Sequence, residues 1–343
     1  GDWTLSELRR ERGASCCGAP PAVRSLCAVL LRRHLVKEWE RLGPVARSAV
    51  KASLVASFGL AAPEDEPDLG RKLGECAAEL AARLTARCEE EGGVLASWPE
   101  LASAILGAVE AEDLQRRGRG CDAAYQLARV LDDPSGMLRR AFAETLREAV
   151  RSTSSSDDEG IASETSGGLS SSEVTRRAVR ALGAVVRGGG HGSHNGEVIT
   201  VGDGYGIDKT DDDDPDGAVD AVGGPETIDI LVRGALEGPL SQLLSSGAHG
   251  ALRSLRDGLE TVVEIAEARP KLLRRDVARV CAVAARVAAM GGVSEAQQLG
   301  TRALAVELLA TLAESAPGMM RKVRVVVVDD ENNNGGTTTT TFA

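Results

Sequence analysis

The chain has 343 residues, 43% hydrophobic but only 2% aromatic, so its core must be built from Ala, Leu and Val, a composition that favours packed helices over a β-sandwich. No run of 18 uncharged apolar residues occurs, because Arg286 interrupts even the best stretch at 280–290, and a membrane-spanning helix is thereby excluded. The formal charge of −11 sits in two segments: 151–172 carries −3 and 188–226 carries −9, ten acids against Lys209, which leaves the rest of the chain at +1.

Residues 1–21 have no initiator Met and no apolar signal core, so no secretory targeting is expected and the start reads as truncated or processed. Helical patterning begins near residue 22. Leu69, Leu73, Cys76, Ala77, Leu80, Leu84 and Cys88 keep one apolar face, with Glu75, Glu79 and Arg83 spaced by four on the other. The seven Cys are an odd count, and Cys27, Cys76, Cys88 and Cys281 fall inside helical patterns, which suits reduced packing residues better than a disulfide framework. In SWPEL, Pro99 suits a first helical turn, and Trp98 before it is placed to cover the joint between hairpins, with a partner contact as the alternative.

The acidic segments 151–172 and 188–226 are rich in Gly, Ser and Asp and lack apolar periodicity, so both read as disordered insertions. Ser154, Ser155 and Ser156 precede Asp157, Asp158 and Glu159, a context resembling acid-directed kinase sites. Leu252, Leu255, Leu259, Val262, Val263 and Ala266 form a second amphipathic run that ends at Pro270. Opposite that stripe, Asp257, Glu260, Glu264 and Glu267 follow at spacings of 3, 4 and 3, either a solvated face or one that attracts a basic partner. The end, 323–343, is a low-complexity tail expected to be disordered.

Taking every second helix, near residues 22, 69, 120, 173, 249 and 295, the steps are 47, 51, 53, 76 and 46. Without the insertions these approach the roughly 40–47 residues of two-helix units that stack because one hairpin cannot bury its own apolar face. The expected fold is all-α: an α-solenoid over 22–322 of about six HEAT-type hairpins, about eleven helices in all.

LCAVLLRRHL (26–35), RKLGECAAELAARL (71–84), SWPEL (97–101), LETVVEIAEARPKLLR (259–274) and ALAVELLATLAE (303–314) follow one another in order. In this the chain resembles the importin-β (karyopherin-β) family, its importin-5 branch in particular, over roughly 22–322 and only the N-terminal portion of a longer member. Most of a first repeat is missing, the acidic insertions are foreign to the pattern, and the tail abandons the next helix after MMRK (319–322). The resemblance implies a nuclear transport receptor, working between cytoplasm and nucleus, that holds cargo on inner helices and releases it to Ran-GTP. Its implied partners are Ran-GTP, basic cargo proteins and nucleoporins, with no direct nucleic acid and no membrane. It also makes the helix bearing Asp257, Glu260, Glu264 and Glu267 an inner one, and less strongly that of Glu75 and Glu79.

No catalytic chemistry, metal or cofactor is expected. Gly202-Asp203-Gly204-Tyr205-Gly206 lacks the G-x-G-x-x-G spacing of a phosphate loop. His191 and His194 have no second ligand pair at zinc spacing. Asp212, Asp214, Asp216 and Gly217 start a calcium-loop pattern, but Gly223 stands where a bidentate Glu is needed and Pro215 intrudes. The alternatives to a receptor are another HEAT scaffold, such as a phosphatase regulatory subunit, and an enzyme using the Gly- and Asp-rich insertion.

Overall fold

The computed structural model describes residues 21–59, 67–85, 98–130, 137–154, 169–188, 222–246, 249–290, 295–321, 323–328 and 337–341. Helices α1 (Pro21–Glu38), α2 (Pro44–Gly59), α3 (Pro67–Thr85) and α4 (Pro99–Val109) each begin on a proline, whose fixed φ and missing N–H suit the first turn. Then come α5 (Leu114–Val130), α6 (Met137–Ser154), α7 (Ser171–Gly188), α8 (Pro225–Val232), α9 (Gly238–Ser246), α10 (His249–Ala268), α11 (Val277–Ala289), α12 (Glu295–Ser315) and the single turn α13 (Pro317–Met320). A π-helical turn, Arg233–Glu237, joins α8 to α9, so one expected helix is divided in two.

The helices pair as hairpins: α2 with α3, α4 with α5, α6 with α7, the α8–π–α9 unit with α10, and α11 with α12. The second helices form one continuous layer in the order α1, α3, α5, α7, α10, α12, each packed along its neighbour. The first helices form a second, looser layer, touching one another much less. This is the expected α-solenoid, with α1 standing as the second helix of a sixth hairpin. The starts of the six second helices lie within a few residues of the positions spaced out by apolar periodicity.

One hydrophobic core runs through the joints, from Leu35 and Trp39 to Met320 and Val323. Leu252, Leu255, Leu259, Val262, Val263 and Ala266 are all in it, as are Cys76, Ala77 and Leu80 of α3. Each buried Leu or Val contributes about 1.5–3 kcal/mol relative to exposure, so the apolar stripe rather than helix propensity holds each helix in place. Close approach between helices needs glycine at particular points. A Cβ on Gly120 would strike the backbone of Ala108 and Val109 in α4, and one on Gly183 would overlap the Thr261 methyl across the α7–α10 joint.

Two expectations change. Cys27 is exposed rather than packed, because α1 ends the described array with no preceding helix beside it, and Val23, Leu26, Val29, Leu30 and Leu31 are left exposed with it. Cys88 lies outside the described residues. The two acidic segments fall between helices as expected, and helices run into their edges: Arg151 to Ser154 close α6, Ser171 opens α7, Val222 is in the core and Pro225 opens α8. The tail, read as disordered, contains an antiparallel ladder of β1 (Arg324–Val328) and β2 (Thr337–Thr341), with Arg324 opposite Thr341 and Val328 opposite Thr337. Runs of β-branched Val and Thr suit extended backbone, and β1 lies against α11. Ser155, Ser156, His191, His194, the 202–206 glycine stretch and Asp212, Asp214, Asp216 and Gly217 lie outside the described residues.

Candidate partner-binding surface

The acidic residues singled out in the sequence lie on second helices α3 and α10, and most are already paired. Arg32 of α1 reaches across to α3, hydrogen-bonding Glu75 at 2.8 Å and pairing with Glu79. The Glu79 carboxylate, ahead of the opposing effect of burial, holds the Arg32 guanidinium above its ordinary pKa. Glu75 also faces Arg71 one helical turn away.

On α10 the four acids divide by environment. Asp257 is inside the α7–α10 joint, its side chain 18% exposed, and is bound by Arg176 of α7, itself only 7% exposed. Glu264 forms an ion pair with Arg187 of α7 at 2.7 Å. Glu260 is exposed and pairs with Arg256 on its own helix at 3.2 Å. Glu267 is exposed and makes no ion pair among the described residues. The ladder is therefore continuous along the helix but not uniformly open: Asp257 fastens two repeats together, Glu264 is half-committed to the same joint, and Glu260 and Glu267 project to solvent.

Arg176 is the centre of a small network. Glu173, one turn earlier, pairs with both Arg176 and Arg177, and Arg177 extends to Asp122 of α5 at 2.7 Å. Burial alone would push the Glu173 carboxyl up, but the two guanidiniums outweigh it and hold it below its ordinary value. At Asp122 burial wins over Arg177, and its carboxyl is raised. Arg279 of α11 binds Asp229 of α8 at 2.6 Å, Glu237 of the π turn at 2.8 Å and Asp276 at 2.6 Å, so the first-helix layer has its own charged fastening.

Trp98 caps the N-terminus of α4 with its ring 1% exposed, Lys51 of α2 lying 5.6 Å from the ring centroid. Its carbonyl accepts from Leu101 N–H at 3.2 Å. The ring thus lies in the joint between α2 and α4, with no face left for a partner, while Pro99 is exposed at the first helical position. A groove of about 780 Å³ lies between Val150 of α6, Thr175 and Arg176 of α7, Ala235 of the π turn and Gly258 of α10. In its lining Gly258 lies so close to the π turn that a Cβ there would collide with the Ala235 carbonyl. Among the described residues no group of three or more His, Cys, Asp or Glu could hold a metal ion, and no helix is long and apolar enough to cross a membrane.

Two features escaped the sequence reading. The arginines that reach Glu75, Glu79, Asp257 and Glu264 across the joints come from 43 to 81 residues away, and no spacing rule along one helix reports them. The π turn did leave a trace: Gly234, Gly238 and Pro239 interrupt a helical pattern within six positions.

Searches against protein-family models and curated proteins found no match for this sequence. Solved structures match by shape. The karyopherin Kap121p bound to the extreme C-terminus of the protein phosphatase Cdc14p superposes with a TM-score of 0.57 at 17% identity, over 92% of this chain and 24% of Kap121p. Kap121p bound to RanGTP gives 0.56 at 16% identity over 92% and 23%, and Kap121p bound to Nup53p gives 0.56 at 17% over 92% and 24%. The fold is a HEAT-type α-solenoid like that of Kap121p. The chain spans about a quarter of the length of the Kap121p chains it matches.

Proposed function

We propose that the chain is the N-terminal portion of an importin-type nuclear transport receptor, of the importin-5 branch, binding basic protein cargo and Ran-GTP through its second-helix layer. The observation that carries this reading is the match of nearly the whole chain to one stretch of the Kap121p solenoid, joined to the ordered sequence resemblance from LCAVLLRRHL to ALAVELLATLAE. Kap121p has been solved with RanGTP, with Ste12p and with Nup53p, which supports Ran-GTP, cargo and nucleoporins as the kinds of partner and cytoplasm and nucleus as the places of work.

The closer packing of the second helices favours that layer as the inner side of the arc. There Glu260 and Glu267 are the acids able to meet a basic peptide, with Glu75, Glu79 and Glu264 available on exchange of their arginines. Asp257 supports the same face from within the joint. Complementary potential of this kind acts mainly on encounter rate and register.

The test is a pull-down of the chain on immobilised Ran loaded with GTP or with GDP. Retention on the GTP form alone supports a receptor, whereas equal retention or none returns the chain to a HEAT scaffold of another kind.

A further inference from the structure

Exposed apolar side chains are not scattered over the array but gathered at its two ends. Eleven large hydrophobic residues stand exposed among the described residues, and seven of them belong to α1 and α12, the first and last members of the second-helix layer. A single exposed leucine is ordinary on a protein surface, whereas a row of apolar residues along one helix marks a contact.

On α1 the open side carries Ala22, Leu26 (58% exposed), Val29 and Leu30, followed one and two turns beyond Val29 by Arg33 and Lys37. On α12 it carries Leu299 (62% exposed), Ala303, Val306 (56% exposed) and Ala310, at spacings of 4, 3 and 4 that keep them on one face. Glu307 and Glu314, one turn beyond Ala303 and Ala310, flank that stripe. The side chains of Arg33, Lys37, Glu307 and Glu314 make no hydrogen bond or ion pair among the described residues. The chain continues past α12 into α13 and the β1–β2 ladder, yet the stripe stays open, since β1 lies against α11 instead.

The layer itself shows how such a stripe is covered. Its helices run parallel: Arg176, Gly183 and Arg187 of α7 meet Asp257, Thr261 and Glu264 of α10 in rising order. Helix beginnings lie nearly level, with Gly300, five residues past the start of α12, beside Arg256, seven past the start of α10. A helix added beyond α12 in the same direction and register needs an apolar first half to meet Leu299 and Ala303 and a basic second half to meet Glu307. Helix α1 has that layout. Leu26 and Leu299 stand five and four residues past the first residue of their helices, Val29 and Ala303 both eight, and Arg33 and Glu307 both twelve. Lys37 and Glu314 then follow within one turn of each other.

We propose that a second copy of this chain covers each stripe: α12 of one molecule packs along α1 of the next, parallel to it, and the second-helix layer continues from molecule to molecule. The contact joins two different surfaces, so it does not close on itself as a two-fold dimer does, and assembly grows with concentration. The proposal is independent of the transport reading, since it needs neither Ran nor cargo.

The experiment is sedimentation equilibrium on the 343-residue chain and on two surface variants, Leu26→Glu with Leu30→Glu on α1 and Ala303→Glu with Val306→Glu on α12. All four positions are exposed, and an unchanged melting temperature establishes that each variant is folded. The weight-average mass of the parent should rise more than about twofold between about 5 and about 200 μM, the range expected of an interface the size of one helix joint. Each variant alone should stay monomeric. An equimolar mixture of the two should form a dimer of twice the monomer mass and nothing larger, because each pair holds one intact α1 face and one intact α12 face that can meet. A parent that stays monomeric throughout overturns the proposal and leaves α1 to another occupant, such as residues 1–20 or a lipid surface. A variant that still dimerises alone would reveal a two-fold contact between like ends, and a mixture that stays monomeric would show that the two faces do not meet; either result also overturns it.

Discussion

Gly183 of α7 faces Thr261 of α10 with no room between them for a methyl group. The contact fixes how closely one repeat lies on the next, and Thr261 is further held by its hydroxyl donating to the Asp257 carbonyl at 2.8 Å. Gly183→Ala should destabilise the protein by about 1–3 kcal/mol through overpacking. Gly258→Ala should cost more, because what it meets is Ala235 backbone, which cannot swing aside. Gly107→Ala is the control: nothing lies within 4 Å of its Cβ position, so it should stabilise by about 0.5–1 kcal/mol. Urea midpoints of the three variants check the order and the change of sign.

The Arg176 network should register in a pH titration of stability. Glu173 ionises more readily in the folded protein than in the unfolded chain, so its contribution is complete above the unfolded pKa, near 4.5, and is lost as pH falls through the lower folded value. The stability difference between the parent and Glu173→Gln should therefore be largest at neutral pH and shrink below about pH 4.5. Removing Arg176 by Arg176→Ala should cost more than Asp257→Ala, since it leaves Asp257 without its cation and Glu173 with Arg177 alone. A double-mutant cycle gives the coupling.

Thiol chemistry should separate sharply along the array. Burial pushes Cys121 up to about 12, and Cys76 and Cys281 up to about 11, so none of the three presents thiolate at neutral pH. Cys27 is exposed on α1. Brief iodoacetamide treatment of the native protein followed by peptide mass mapping should find Cys27 modified and Cys76, Cys121 and Cys281 protected until denaturant is added.

The acidic helix offers a test of the inner face. Glu260→Lys with Glu267→Lys should weaken binding of a basic peptide or Ran-GTP and flatten its salt dependence, leaving the melting temperature nearly unchanged because exposed charges contribute only about 0–1 kcal/mol each. Asp257→Lys should instead lower the melting temperature, since it sets a cation against Arg176 within the joint. Unchanged binding by the Glu260 and Glu267 pair would make that face solvated surface alone.

The solenoid could be read from the chain because its units are local. Each apolar stripe needs only its own helix's periodicity, and Leu255, Leu259 and Val262 are buried as that periodicity requires. The state of the acidic ladder could not, because it depends on pairing across repeats. Glu260 and Asp257 look alike along α10, yet one is in solvent and the other meets Arg176, 81 residues away in sequence. The tail was misjudged for a different reason: low complexity in Val and Thr does not prevent backbone pairing, as β1 and β2 show.

The unequal packing of the two layers makes the array behave like a laminated strip. The second-helix layer is at contact at its joints, with Gly183 already touching Thr261, so it resists shortening and acts as the neutral line. The first-helix layer touches less and can open or close at low cost. Bending is thus directional: small adjustments among α2, α4, α6, the α8–π–α9 unit and α11 change the pitch and arc of the whole while the face formed by α1, α3, α5, α7, α10 and α12 keeps its spacing. A strip of this kind stores its elastic energy on the side away from the close-packed face.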